Sequence, residues 1–352
     1  MIKAKIVGAG GYGGVGIAEL LTAHPEAEAA TLVDVEHIGR PISALYPHLE
    51  GFCDRTIEDP ASPAASAAHD VVFMATPDGV GMTLAAAELE RGAKVIDYSG
   101  DFRFDSAAAY ADYATRIGRS PEHAAPALLP EAVYGLSELR RGAIGPATRI
   151  VGNPGCFAVS CLLGLAPAVD AGLLEADGIV CDCKTGVSGA GRKPAPSFHY
   201  PARYEHMNAY KLAGHQHVCE IERELGRLAG GEIRVTFTAH VVPMCRGILS
   251  TLYGTLRAPA EEDDVRAVYD AFYAGAPFVR TYPSTAAIGS PHVRGTNGCK
   301  LVVSTDARTG RLRIVSYIDN LVKGQAGSAL QNMNLLFGLP EIAGLDRVAM
   351  YP

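Results

Sequence analysis

Apolar and polar positions along this chain fall into two periods that succeed one another in a regular order. Short apolar runs at residues 4–7 (AKIV), 29–34 (AATLVD), 70–75 (DVVFMA) and 94–99 (KVIDYS) each end in a turn. Residues 15–23 (VGIAELLTA) and the alanine-rich stretch after Gly79 then show helical spacing. Strand, turn and helix repeated in this way predict a doubly wound parallel sheet. The alanine-rich residues 61–68 are expected to be a loop, and 107–147 read as irregular and turn-rich, as a lid or crossover would be. At 148–151 (TRIV) a β-branched run meets Asn153-Pro154-Gly155-Cys156, and the apolar residues 157–167 predict a helix.

Beyond that helix the pattern changes. Residues 178–184 predict a strand, 236–244 and 248–254 a pair of strands around Cys245-Arg246-Gly247, and 315–320 a late strand. A helix opens near His217, and an amphipathic helix follows Gly324 through Leu336. The expected class is α/β. A Rossmann-like, doubly wound parallel sheet occupies 1–152, completed by the last helix in 326–352. A central α/β (α+β) domain with an antiparallel sheet occupies 153–325.

Composition narrows the function. The 352 residues are 48% hydrophobic and 20% charged with a net charge of −7, which disfavours nucleic acid or an anionic membrane as partner. No run of eighteen apolar residues is present, and the N-terminus enters a strand at once, so neither a membrane span nor a signal peptide is expected. Eight cysteines scattered through apolar segments argue for reduced thiols in the cytoplasm. Cys181-Asp182-Cys183 has the wrong spacing for a zinc knuckle and reads as two residues on one face of a strand. No metal site is expected.

Candidate chemistry follows the turns. Gly8, Gly11 and Gly14 after the first strand form a GxxGxxG variant of the loop that lets a backbone approach a pyrophosphate at a helix N-terminus. Asp34 at the end of the second strand suits a ribose diol and so NAD, whereas Arg40 suits a 2′-phosphate; a solvated loop acid is equally compatible. Cys156 opens a helix, where unpaired N–H groups and the dipole favour a thiolate. His215 and His217 cannot share one helical face, but share a site if His215 precedes the first turn; they read as acid/base groups or as structural histidines. Arg103 and Arg246 lie in loops where a planar fork recognises an anion, or where a surface ion pair forms.

Several motifs in one order carry a resemblance. Asn153-Pro154-Gly155-Cys156, Gly186-Val187-Ser188-Gly189-Ala190-Gly191-Arg192, His215-Gln216-His217 with Glu220-Ile221, Val242-Pro243-Met244 with Arg246-Gly247-Ile248, and Asp319-Asn320-Leu321-Val322-Lys323-Gly324 are the most specific. With Asp101-Phe102-Arg103 and residues 132–136 they cover nearly the whole chain. The sequence resembles the N-acetyl-γ-glutamyl-phosphate reductases of the aspartate-semialdehyde dehydrogenase superfamily. It departs from their pattern at Gly10, Phe157, Thr185, Ala239, Gln325 and Ser328, and has Asp34 where a serine-rich loop usually faces a 2′-phosphate.

The resemblance implies NADPH-dependent reduction of an acyl phosphate, with NAD as the alternative cofactor. Cys156 would be the nucleophile and His217 (or His215) the acid/base, His215 being the more mobile and suited to touching substrate. Arg103, Arg246, Ser188 and Arg192 would bind substrate. Gly8, Gly11, Tyr12, Gly13, Gly14, Asp34, Arg40, Ala75, Pro77, Ser99, Gly189, Asn320 and Lys323 would bind the cofactor. A homodimer or homotetramer is implied, with subunit contacts in the central domain. Reduction of an N-acetyl- or carrier-linked α-aminoadipyl phosphate, or of aspartyl phosphate, is the related alternative. Arg246-Gly247-Ile248 disfavours the aspartyl case, since that branch is expected to place its histidine there. A non-catalytic dinucleotide-binding regulator is the remote one.

Overall fold

The structure is a computed structural model that describes residues 1–351. The chain divides into two compact units: Met1–Gly155 with Gln325–Asp346, and Cys156–Gly324 with the tail from Arg347. From the sequence, 326–352 is expected in the first domain. The difference arises because Met350 exchanges backbone and guanidinium hydrogen bonds with Arg294 of the second unit.

Seven strands form the sheet of the first unit: β1 (Ile2–Val7), β2 (Ala27–Val33), β3 (Ile57–Glu58), β4 (Val71–Met74), β5 (Lys94–Asp97), β6 (Ala132–Tyr134) and β7 (Ile150–Gly152). Their order is β3-β2-β1-β4-β5-β7-β6 and every pairing is parallel. Val71 to Met74 are all buried, as a parallel strand covered on both faces requires. The strand order reverses between β1 and β4, the switch point at which doubly wound sheets bind ligands beyond the carboxyl ends of their strands. Helices Tyr12–Thr22 and Gly327–Leu336 pack together in this unit. Two local expectations change. Pro63–Ser66 is a short helix because Ser62 caps it through Ala65 N–H. The irregular region contains helix Ala107–Arg116, capped by Ser106, and strand β6.

The second unit holds β8 (Ile179–Thr185), β9 (Asn208–Tyr210), β10 (Val235–Val241), β11 (Ile248–Thr255), β12 (Val279–Tyr282), β13 (Cys299–Asp306) and β14 (Arg311–Ile318). The order is β12-β13-β14-β11-β8-β10-β9, with β8/β10 and β12/β13 parallel and the other pairs antiparallel. The two strands flanking Cys245-Arg246-Gly247 therefore do not pair with each other. β8 lies between them, parallel to β10 and antiparallel to β11.

Helix Cys156–Asp170 is the core of this unit, with every residue from Phe157 to Val169 buried. Each fully buried leucine, such as Leu162, Leu163 and Leu165, contributes about 1.5–3 kcal/mol. The rotation of the helix, and with it the position of Cys156, is thereby set by packing. Ser160 satisfies its hydroxyl on Ser250 and Ser316 of the sheet (2.9 and 3.0 Å). Cys181 and Cys183 do share one face, and Cys183 Sγ lies 3.5 Å from Cys161 Sγ. The opposite sheet face, bearing Leu249, Thr251 and Tyr253 alternately with buried Ile248, Ser250 and Leu252, is only partly covered. No helix among the described residues is long and apolar enough to cross a membrane.

Candidate active site

The glycine loop of the first unit is built for close approach. Gly8 has φ +82°, a conformation side chains avoid, and a Cβ there would collide with the carbonyl of Ala75 beyond β4. Gly14, in the first turn of its helix, has no room for a Cβ against the Gly8 carbonyl. Gly11 N–H donates to Gly8 O (3.2 Å), Tyr12 opens the helix, and a Cβ on Gly13 would press on Gln325 and Tyr98. A cradle shaped by backbone alone at a switch point fits a dinucleotide pyrophosphate.

Asp34 braces this loop. Its carboxylate accepts from Gly10 N–H (2.7 Å), Val35 N–H (2.7 Å) and Glu36 N–H (3.1 Å). Tyr46, which no sequence signal marks, donates to Gly10 O from the other side (2.8 Å). Arg40 lies exposed in the following loop. Pro77 follows the Ala75 turn, and Asp78 just beyond it accepts Gly100 N–H.

Beyond β5 the hydroxyl of Ser99 is turned inward, donating to Asp97 (2.6 Å) and accepting Asp101 N–H. Asp101 accepts Gly79 and Met82 N–H at the start of helix Gly81–Glu90. Burial first, and then the neighbouring Asp101 charge, push the Asp97 carboxyl up to about 7. Arg103 is buried here, its Nε donating to Asn153 O (2.8 Å) and its Nη2 to Tyr98 O (2.5 Å). Asn153 is held again by its own Nδ2 on Gln325 O and by Asn332 Nδ2 on its Oδ1. The chain leading to Pro154, Gly155 and Cys156 is thus fixed from three sides.

In the second unit Cys156 is the first residue of its helix and partly exposed. A Cβ on Gly324 would lie 2.8 Å from Cys156 Cβ, so the turn passing the thiol tolerates no side chain there. That turn is a π-helical segment, Val322–Ala326, an irregularity frequent at functional sites. His217 opens helix His217–Ala229 and His215 precedes it. Their rings are 4.8 Å apart and both meet Phe157, the residue after Cys156, at 5.7 and 6.1 Å.

The two histidines differ. His215 is 4% exposed, boxed by Phe157, Tyr210 and Phe237, and its Nδ1 accepts His217 N–H (3.2 Å). It is therefore not the mobile residue expected after Gly214. Burial, with the adjacent His217 and Lys211, pushes it down to about 2, so the ring is neutral and carries its proton on Nε2. His217 Nε2 instead faces the buried Glu220 carboxylate at 4.0 Å. Burial and the charge of Cys156 push the Tyr210 hydroxyl up.

Loop 186–190 and loop 242–247 are zipped together through Gly186 N–H to Gly247 O, Val187 N–H to Met244 O and Ser188 N–H to Cys245 O. Ser188 Oγ donates to Cys245 O and accepts from Asn320 Nδ2, so it braces loops. Gly189 lies beside Asn320, and Arg192 is exposed further along. Lys323 is buried with Nζ 5.5 Å from the Phe278 ring centroid. Arg246 is partly exposed with Nη1 3.6 Å from the buried Asp319 carboxylate.

The chain has the two domains of a semialdehyde dehydrogenase. Residues 3–147 match the semialdehyde dehydrogenase NAD binding domain, and 156–320 its dimerisation domain. Aspartate semialdehyde dehydrogenase II of Vibrio cholerae, complexed with ASA, is similar in fold with a TM-score of 0.70 at 16% identity, over 96% of this chain and 98% of that one. Aspartate semialdehyde dehydrogenase of Candida albicans with NADP gives 0.65 at 16%, over 96% and 98%. The N-acetyl-gamma-glutamyl-phosphate reductase of Symbiobacterium thermophilum is 46% identical over 98% of this chain and 97% of its own. That of Pelotomaculum thermopropionicum is 43% identical over 100% and 99%. The chain belongs to the semialdehyde dehydrogenase family and, within it, to the N-acetyl-gamma-glutamyl-phosphate reductases. It is an oxidoreductase with a domain for a nicotinamide dinucleotide.

Proposed function

We propose that this chain reduces N-acetyl-γ-glutamyl phosphate to N-acetylglutamate semialdehyde with release of phosphate, using NADPH, as a step of arginine biosynthesis. The observation that carries the reading is the meeting of both histidine rings with Phe157, directly after a cysteine that opens a helix. Cys156 thiolate attacks the acyl-phosphate carbonyl and phosphate leaves, forming a thioester. A nicotinamide cofactor, when bound, would supply the hydride for reducing that thioester; Cys156 then leaves as the free thiolate when its thiohemiacetal collapses to the aldehyde. Backbone N–H groups at the helix start favour the thiolate and the developing oxyanion. His217 exchanges the proton at the substrate oxygen, with Glu220 near enough to balance its charge. His215, neutral, orients His217 through the bond to its N–H.

Arg246 takes an anionic part of the substrate in this reading through its partly exposed fork, and Arg103, buried against the carbonyls of Tyr98 and Asn153, fixes the chain before Cys156. Gly8, Gly11, Gly13 and Gly14 would hold the pyrophosphate of that cofactor. Asp34 is already engaged with three N–H groups, which supports a bracing role and leaves Arg40 to meet a 2′-phosphate. The partly covered face of the second sheet is where a second copy of the chain docks. All eight cysteines are thiols, which suits the cytoplasm.

Purified protein should oxidise NADPH in the presence of N-acetylglutamyl phosphate, and its NADPH Kd should lie at least tenfold below that for NADH. Turnover of only the α-aminoadipyl homologue, or an NADH Kd tenfold the lower, would contradict the corresponding part.

A further inference from the structure

We infer that Asp319 is a positioning residue that sets Arg246 relative to the nucleophile; the inference rests on the reading of Arg246 as the contact for an anionic group of the substrate. Asp319 is 0% exposed, and its carboxylate is immobilised by main chain. Oδ1 accepts Leu321 N–H (2.8 Å) and Val322 N–H (3.1 Å), and Oδ2 accepts Gly295 N–H (2.7 Å). A carboxylate held by three backbone donors cannot swing. It presents a fixed negative charge, and Arg246 Nη1 lies 3.6 Å from Oδ2.

That separation exceeds a hydrogen bond, so Asp319 attracts the guanidinium without saturating its donors. The planar fork remains able to take a carboxylate or phosphate bidentately. The backbone of the same residue reaches the other end of the site, because its carbonyl accepts Gly324 N–H (2.9 Å), and Gly324 is the glycine packed against Cys156. One residue therefore links the anion-binding arginine to the turn beside the thiol. Asn320 secures the arginine's own loop, its Oδ1 accepting Gly247 N–H (2.7 Å). Removing the charge of Asp319 frees Arg246 to turn into solvent and weakens substrate binding more than it slows the chemical step.

A double-mutant cycle tests this, run in the stable direction with N-acetylglutamate semialdehyde, phosphate and NADP on full-length protein. Arg246→Leu should raise KM at least tenfold. Asp319→Asn should do the same while kcat stays within threefold and the melting profile by circular dichroism is retained. The double variant should be no worse than Arg246→Leu within twofold, since Asp319 acts through the arginine. If Asp319→Asn leaves KM unchanged, or multiplies the loss in the Arg246→Leu background by fivefold or more, the positioning role is overturned while the arginine's role stands. If Arg246→Leu itself leaves KM unchanged, the reading of Arg246 falls and the inference with it. Should Asp319→Asn not fold, Asp319→Glu replaces it in the cycle. Its longer arm displaces the charge, which should raise KM threefold or more beside Arg246 and not at all in the Arg246→Leu background; an equal effect in both overturns the inference.

Discussion

His215 and His217 stand two residues apart, yet their surroundings give them opposite electrostatics. The aromatic box keeps His215 neutral, whereas His217 faces a carboxylate. Because His215 lies far below the usual imidazole value of 6.5 in the fold, the unfolded chain binds the extra proton. Its contribution to stability is lost as pH falls below about 6.5. His217→Asn should lower kcat/KM by about 10²–10⁴, the usual share of general acid–base catalysis. His215→Phe, which keeps the packing but removes the acceptor for His217 N–H, should cost less and leave the pH–rate profile unshifted. Rate profiles of the two variants check this, and a larger loss at His215 would exchange the roles. The pair is visible in the sequence as a motif. Its inequality is not, since Phe237 and Tyr210 come from strands that only the tertiary fold brings to His215.

Among the elements, the strand ends of the first unit carry buried acids. Asp97 closes β5, and burial raises its carboxyl to about 7 from 3.8, with Asp101 adding and Ser99 and Arg103 opposing. The folded state thus binds a proton that the unfolded state releases. The stability contributed is full below about pH 4 and lost as pH rises through 7. Asp97→Asn removes that loss, so between pH 5 and pH 8 its melting temperature should gain a few degrees relative to the unaltered protein. Parallel melting curves at the two pH values would contradict the assignment. At this scale strands of the parallel sheet are legible because unbroken apolar runs such as 71–74 admit little else. The neighbours of β8 are not. Alternation in residues 236–244 and 248–254 shows two half-buried strands, but a short intervening loop suggests a hairpin, and nothing local announces that β8 separates them. The helix at 107–116 (AAAYADYATR) has no aliphatic side chain larger than alanine to mark an apolar period, and it is capped by Ser106.

For the molecule as a whole, the two-unit plan follows from the change of pattern after Cys156, whereas the tail from Arg347 joins the second unit through Arg294, a contact no periodicity encodes. Asp319 was equally hidden in its role, since its three backbone donors come from two separate turns. The proposed docking of a second copy on the partly covered sheet face makes its own prediction. Sedimentation should show a dimer or larger assembly, and Tyr253→Asp should shift it toward monomer; an unchanged assembly would place the interface elsewhere.

The central claim, that Cys156 carries the acyl group, has a direct test. Protein mixed with N-acetylglutamyl phosphate without NADPH, quenched in acid and digested, should show by mass spectrometry an N-acetylglutamyl adduct on Cys156. The adduct should be absent from Cys156→Ser protein that retains its melting temperature and its affinity for NADPH. An adduct on Cys161, Cys219 or Cys245 with Cys156 unmodified, or reductase activity in the serine variant, would contradict the account.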